Sequence, residues 1–203
     1  MKLDELSDKL ISLKRKCRNP VAALDGLSGA GKTTIAAELK QEIERRGQIV
    51  CLVHIDDFVT VRKQRYNTGH PEWYEYYFLQ WDAGRLKETL FHPLTEGKSR
   101  ISLPFYGRRA DTVKTGDLHV PAGALVILEG IFLQRPEWLP FFDYVIYLDC
   151  PRETRCERVL KRDDYIGSME DRRAKYQRRY WAGEDYYLKN IRPAQNADVV
   201  INN

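Results

Sequence analysis

Apolar and polar positions along the chain alternate between two kinds of run. Short, β-branched stretches bounded by turn residues occur at Val21–Asp25, Ile49–Ile55, Leu125–Leu128, Tyr144–Leu148 and Val199–Ile201. Such runs predict strands buried on both faces. Between them, apolar residues recur every three or four positions. Over Lys32–Arg46 the stripe is Ile35, Ala36, Leu39 and Ile43, and Gly47 follows as a stop. Leu3, Leu6, Leu10 and Leu13 make a similar stripe, which predicts an N-terminal helix over residues 1–18, docked on the domain. Buried strands joined by helical crossovers predict an α/β fold with a mostly parallel five-stranded sheet flanked by helices.

Two segments interrupt this rhythm. Residues 58–105 read as an insertion, aromatic-rich over Pro71–Leu94, with a short irregular strand at Lys98–Phe105. Residues 151–180 are strongly charged and predict a helical lid. No repeat and no long linker divides the chain, so residues 1–203 are expected to form one domain.

Composition narrows the function. Of 203 residues, 43% are hydrophobic and 31% charged, which excludes a disordered or collagen-like chain. No apolar stretch reaches the ~18–20 residues of a spanning helix, and a charged Met1–Cys17 segment argues against a signal peptide and a membrane partner. Lys and Arg number 33 against 29 acidic residues, a net charge of +4. That excess suits an anionic ligand but is too small to argue for nucleic acid. Cys17, Cys51, Cys150 and Cys156 form no CxxC pair, so reduced thiols and a cytoplasmic location are expected. Homo-oligomerisation is left open.

Gly26-Leu27-Ser28-Gly29-Ala30-Gly31-Lys32-Thr33 satisfies the phosphate-binding pattern GxxxxGK[ST] between a predicted strand and a predicted helix. Glycines let main-chain N–H groups turn around a phosphate, and the helix N-terminus adds partial positive charge. This context predicts a P-loop NTPase fold binding ATP and Mg²⁺, with Lys32 on the β- and γ-phosphates and Thr33 on the metal. Thr34 extends the motif. No Asn-Lys-x-Asp guanine reader and no Leu-Ser-Gly-Gly-Gln transporter signature occurs.

Two further strand ends carry acids. Asp56 and Asp57 follow the second strand, and Glu129 with Gly130 ends the third. In a parallel sheet these ends face the ligand crevice. There an Asp can take a proton from a substrate hydroxyl, and a Glu can serve a metal ion or orient water. Arg155, Arg158 and Arg162 fall at i, i+3 and i+7 on one helical face. Phosphoryl transfer needs cations over the transferring group, so Arg158 and Arg162 are assigned to that role and the other lid cations are read as solvated surface. Among Trp73, Tyr74, Tyr76, Tyr77, Phe78 and Trp81, core packing is weighed equally with nucleobase stacking.

Together these residues resemble the P-loop kinases that include uridine kinase, phosphoribulokinase and bacterial pantothenate kinase. The resemblance rests on Gly26–Thr34, Asp56-Asp57-Phe58, Pro104-Phe105-Tyr106, Glu129-Gly130-Ile131, Arg158 through Asp163, and the closing Ala197-Asp198-Val199-Val200-Ile201. It implies ATP-dependent phosphorylation of a hydroxyl on a small-molecule acceptor. Asp56 falls on that family's catalytic base, Glu129 on its metal-side acid, Arg162 on its lid arginine and Tyr106 on its acceptor-pocket tyrosine. Three positions depart from uridine kinase: Gly69 precedes His70-Pro71, Asp111 replaces a histidine, and Val159 stands for a second lid arginine. A nucleoside is the first acceptor expected, and a pantothenate- or sugar-like alcohol the second. A nucleotide-dependent binding module is the rival from another class; it would call for a larger cationic excess.

Overall fold

The computed structural model describes residues 3–13 and 18–203. Helix α1 (Leu3–Ser12) buries Leu6 and Leu10, as its stripe requires. The remainder of the expected helix over 1–18, at residues 1–2 and 14–17 with Cys17, lies outside the described residues.

Strand β1 (Val21–Gly26) has every residue buried, because it lies inside a sheet covered on both faces. Helix α2 (Lys32–Arg45) follows it, and β2 (Val50–His54) comes next. A hairpin of β3 (Arg100–Gly107) and β4 (Thr112–His119) precedes β5 (Leu125–Gly130), β6 (Tyr144–Asp149) and β7 (Val199–Asn202). The main sheet runs β2-β5-β1-β6-β7, and every pairing in it is parallel. Winding therefore reverses at β1, opening a crevice at the carboxyl ends of β1 and its neighbours.

Alternation along the strands feeds two cores. Ala22, Leu24, Ile127 and Ile146 pack against Leu6, Leu10, Leu39 and Ile43 from α1 and α2. Val21, Ala23, Val126 and Leu128 face the other way, toward Tyr77, Trp81, Phe91, Phe132 and Trp138. Most of the aromatic stretch is thus core: Trp81 and Trp138 meet edge to face with centroids 6.0 Å apart, and Phe91 stacks on Trp138 at 5.5 Å. Helix α3 (Glu72–Phe78) carries Tyr76 and Tyr77 into that layer.

Two expectations change in detail. The second strand stops at His54, and Ile55–Phe58 forms a tight 3₁₀ turn that carries both aspartates. The irregular strand at Lys98–Phe105 is one arm of the antiparallel β3–β4 hairpin. Its partner β4 is largely exposed, so it has no apolar alternation to betray it. The charged segment is helical, as expected: α4 (Arg152–Arg162), α5 (Met169–Lys175), a π-helical stretch Tyr176–Trp181 and α6 (Ala182–Ile191). Ser168 and Asp171 close a reciprocal capping box at the start of α5. Among the described residues no helix is long and apolar enough to cross a membrane.

Candidate active site

The loop between β1 and α2 has the backbone that its glycines permit, with Gly29 and Gly31 at φ 79° and 93°. At Gly26 the constraint is space, since a Cβ there would lie 2.7 Å from the Leu148 carbonyl oxygen of β6. No side chain caps α2, which leaves its first-turn amides for a ligand. Ala30 is buried within the loop, while Thr33 and Thr34 are exposed on the first turn. The Lys32 ammonium donates to the Leu27 carbonyl at 3.0 Å. Burial pushes its pKa down, and Glu129, Asp25 and Asp56 oppose that shift.

The loop is held from behind by side chains far away in sequence. The Ser28 N–H donates to Glu184 of α6 at 2.9 Å, and Arg155 pairs with the same carboxylate at 2.8 Å. Asp25 is fully buried and accepts from the Gly26 N–H, Gln134 and the Tyr187 hydroxyl. Burial raises its pKa against those bonds and the charge of Lys32.

Asp56 stands on the 3₁₀ turn, its oxygens reached by water from the crevice. The turn is pinned by Trp81, whose indole N–H donates to the Ile55 carbonyl at 2.9 Å. The protein mass around the crevice pushes the Asp56 pKa up, and Lys32 opposes it. Asp57 is exposed and does not line the cleft. Glu129, at the end of β5, bonds His54 Nδ1 at 2.6 Å and accepts from Thr33 Oγ1 at 3.3 Å. The bond to Glu129 raises the His54 pKa. Gly130 lets this acid approach the Asp56 turn, since a Cβ there would meet Ile55 Cγ2 at 2.1 Å. A hydroxyl and a carboxylate in contact beside the loop form a hard-oxygen donor set. They fit Mg²⁺, which completes its shell with phosphate oxygens and water.

These groups open into one cleft of about 810 Å³, within the range of small-molecule sites. Lys32, Thr33, Asp56, Glu129, Tyr106, Tyr76 and Arg162 all line it. Arg162 is ion-paired with Asp163 at 2.7 Å, and Tyr176 donates to the same carboxylate. Burial works against the Asp163 carboxylate, but the Arg162 and Tyr176 bonds hold its pKa below the usual range. The Tyr106 hydroxyl donates to Asp111 at 2.9 Å and accepts from Arg65 at 3.1 Å.

The three arginines expected on one helical face part company. Arg162 reaches the cleft; Arg158 donates instead to the Gly29 carbonyl at 3.2 Å, on the outer side of the loop. Arg155 is not surface but buried against Glu184, and Arg179 is buried against Glu75 at 3.0 Å. Tyr76 lines the cleft, its hydroxyl 3.3 Å from Ser28 Oγ, whereas Tyr77 packs in the core under Arg135. Arg62, Arg65, Arg108 and Lys175 also line the cleft, and the sequence reading missed them. The only signal was the run Arg62-Lys63-Gln64-Arg65, which has the look of ordinary surface charge.

Comparison with known proteins places this geometry. Residues 23–178 match the AAA domain family. Uridine kinase from Lactobacillus helveticus is 28% identical over 156 residues, spanning 73% of this chain and 70% of its own length. A possible uridine kinase from Bacillus stearothermophilus superposes with a TM-score of 0.82 at 38% identity, covering 98% of this chain and 96% of that one. D-glycerate 3-kinase from Cryptococcus neoformans var. grubii shares the fold at 12% identity, with a TM-score of 0.64 and coverage of 98% and 95%.

Proposed function

This chain belongs to the uridine kinase-like P-loop kinases of the AAA domain family, and we propose that it transfers the γ-phosphoryl group of ATP to a hydroxyl of a small molecule. The observation that carries this reading is the convergence of Lys32, Asp56 and Arg162 on one cleft beside the uncapped start of α2. Main-chain amides from Gly26 to Thr34 receive the phosphates, and Lys32 moves from the Leu27 carbonyl onto the β- and γ-oxygens. Asp56 accepts the proton of the acceptor hydroxyl; its raised pKa makes it a better base than an ordinary aspartate. Arg162 covers the oxygens of the transferring group, with Arg158 steadying the loop from outside, and closure of the 151–180 helices excludes water. Thr33 and Glu129 would hold Mg²⁺, whose charge offsets that of the phosphates. The protein's own share is positioning and charge stabilisation, as this loose transition state requires.

Tyr106 marks the acceptor side. Kinship with uridine kinases makes a nucleoside the first acceptor class. A non-nucleoside alcohol is the second, favoured by Asp111, which is already engaged by Tyr106 and by the Arg62 N–H at 2.9 Å. Free thiols at Cys51, Cys150 and Cys156 support a cytoplasmic setting.

The test is coupled ADP release over nucleosides, deoxynucleosides, pantothenate and phosphosugars. Acceptor-dependent ADP formation with one class is expected. Intact ATP binding with no response to any acceptor would favour a nucleotide-dependent binding module.

A further inference from the structure

Four arginines are buried among the described residues: Arg65, Arg135, Arg155 and Arg179. Three of them have a carboxylate within 4 Å. Arg155 has Glu184 at 2.8 Å, Arg179 has Glu75 at 3.0 Å and Arg135 has Glu137 at 3.9 Å. Arg65 is the exception, although it is only 7% exposed. Its hydrogen-bond acceptors are all neutral: the Thr60 carbonyl at 2.7 Å, the Tyr106 hydroxyl at 3.1 Å, and the Tyr66 hydroxyl and Gln80 amide at 3.4 and 3.5 Å. The rings of Tyr66 and Tyr106 flank the guanidinium at 5.1 and 5.2 Å. These contacts orient it and supply some cation–π stabilisation. The nearest countercharge, Asp111, acts on it across the Tyr106 hydroxyl and is shared with Arg62, so no carboxylate meets the guanidinium directly.

A buried charge is ordinarily paired, because desolvation without a partner is costly. Arg65 faces the cleft, so the missing partner has a way in. Around it the balance stays positive. Arg62, Arg108 and Lys175 line the same cleft, and none forms an ion pair within 4 Å among the described residues, although Arg108 also acts on Asp56. The nearby carboxylates are already engaged. Asp111 holds Tyr106 and the Arg62 N–H, and Asp163 holds Arg162 and Tyr176. Asp56 and Glu129 lie on the loop side with Lys32 and Thr33.

We propose that the acceptor carries a negatively charged group, a carboxylate or a phosphate monoester, which docks on Arg65 while its hydroxyl turns toward Asp56. The planar guanidinium fork suits both oxyanions. Arg108 and Lys175 extend the positive field and draw the acceptor in. This inference rests on the kinase reading and takes its second acceptor class, the non-nucleoside alcohols, over the nucleoside that kinship ranks first, narrowing it to hydroxy acids or phosphorylated alcohols.

The direct test fills the loop with AMP-PNP and Mg²⁺ and titrates the complex with inorganic phosphate by calorimetry. Saturable binding is expected, weakened at least ten-fold in Arg65→Gln, less in Arg65→Lys, which keeps the charge but not the fork, and several-fold in the exposed-site variant Arg108→Gln. No binding to the wild-type complex, or equal binding in Arg65→Gln and Arg108→Gln, overturns the proposal. A kinetic arm separates the two oxyanions by comparing glycerol with D-glycerate and glycerol 3-phosphate, and both with uridine. The charged compound that is turned over should exceed glycerol and uridine at least ten-fold in kcat/KM. Preference for uridine overturns the anion inference and leaves the kinase reading standing. Failure of the kinase reading shows differently, as no acceptor-dependent ADP release with any compound while Arg65-dependent phosphate binding stays intact.

Discussion

The two halves of the cleft are built on different principles. On the nucleotide side a contiguous eight-residue loop offers main-chain amides and one lysine, and its geometry follows from glycines at left-handed φ. On the acceptor side the lining comes from side chains on separate elements: Arg65 from the short helix Arg62–Arg65, Tyr106 from the hairpin and Tyr176 from the lid. Binding a phosphate chain is the same task in every such kinase, and backbone can do it. Recognising one acceptor is a particular task, and on the proposed reading it falls to arginines and tyrosines brought together only by the fold.

The sharpest way to break that contrast is to ask whether the loop really stands on its own. Glu184 holds both the Ser28 N–H and Arg155, and it is fully buried. Replacing it with alanine leaves a buried guanidinium uncompensated, so unfolding in urea should show a loss of about 3–5 kcal/mol. A loss near zero would mean that the loop owes nothing to α6. Next in size is Glu129→Gln, which weakens the donor set that Glu129 shares with Thr33. Apparent Mg²⁺ affinity in the kinase assay should fall about 10–100-fold with acceptor KM little changed, because Glu129 belongs to the nucleotide half. A selective rise in acceptor KM would instead assign it to the other half. The smallest effect concerns pH. The protein around the crevice raises the Asp56 pKa, so the group is protonated and idle over a wider acidic range than an ordinary aspartate. The acid limb of kcat/KM should lie above the usual aspartate value and should disappear from any residual activity of Asp56→Asn.

The sequence revealed much more of the first half than of the second. All five sheet strands lie within or close to their apolar runs, because burial in the sheet leaves few polar interruptions. Lys32, Asp56 and Glu129 were legible because each sits where an apolar strand gives way to glycine or acid. Strand β4 was not, since an exposed hairpin arm carries no hydrophobic period. Arg155 and Arg179 read as surface because their partners, Glu184 and Glu75, lie 29 and 104 residues away. Periodicity put Arg155, Arg158 and Arg162 on one face of α4, but it could not say that the loop, the cleft and α6 would each take one. Arg65 was hidden for a similar reason. Its burial depends on Tyr106, 41 residues on, and nothing in the local run of cations announces that.

The account stands most directly on Asp56, the acid that joins the two halves. In Asp56→Asn, ATP affinity measured by calorimetry should remain within a few-fold of wild type, while acceptor-dependent kcat should fall by about 10²–10⁴-fold, the share of a general base. A near-normal kcat in that variant would remove Asp56 from the chemistry and contradict the mechanism.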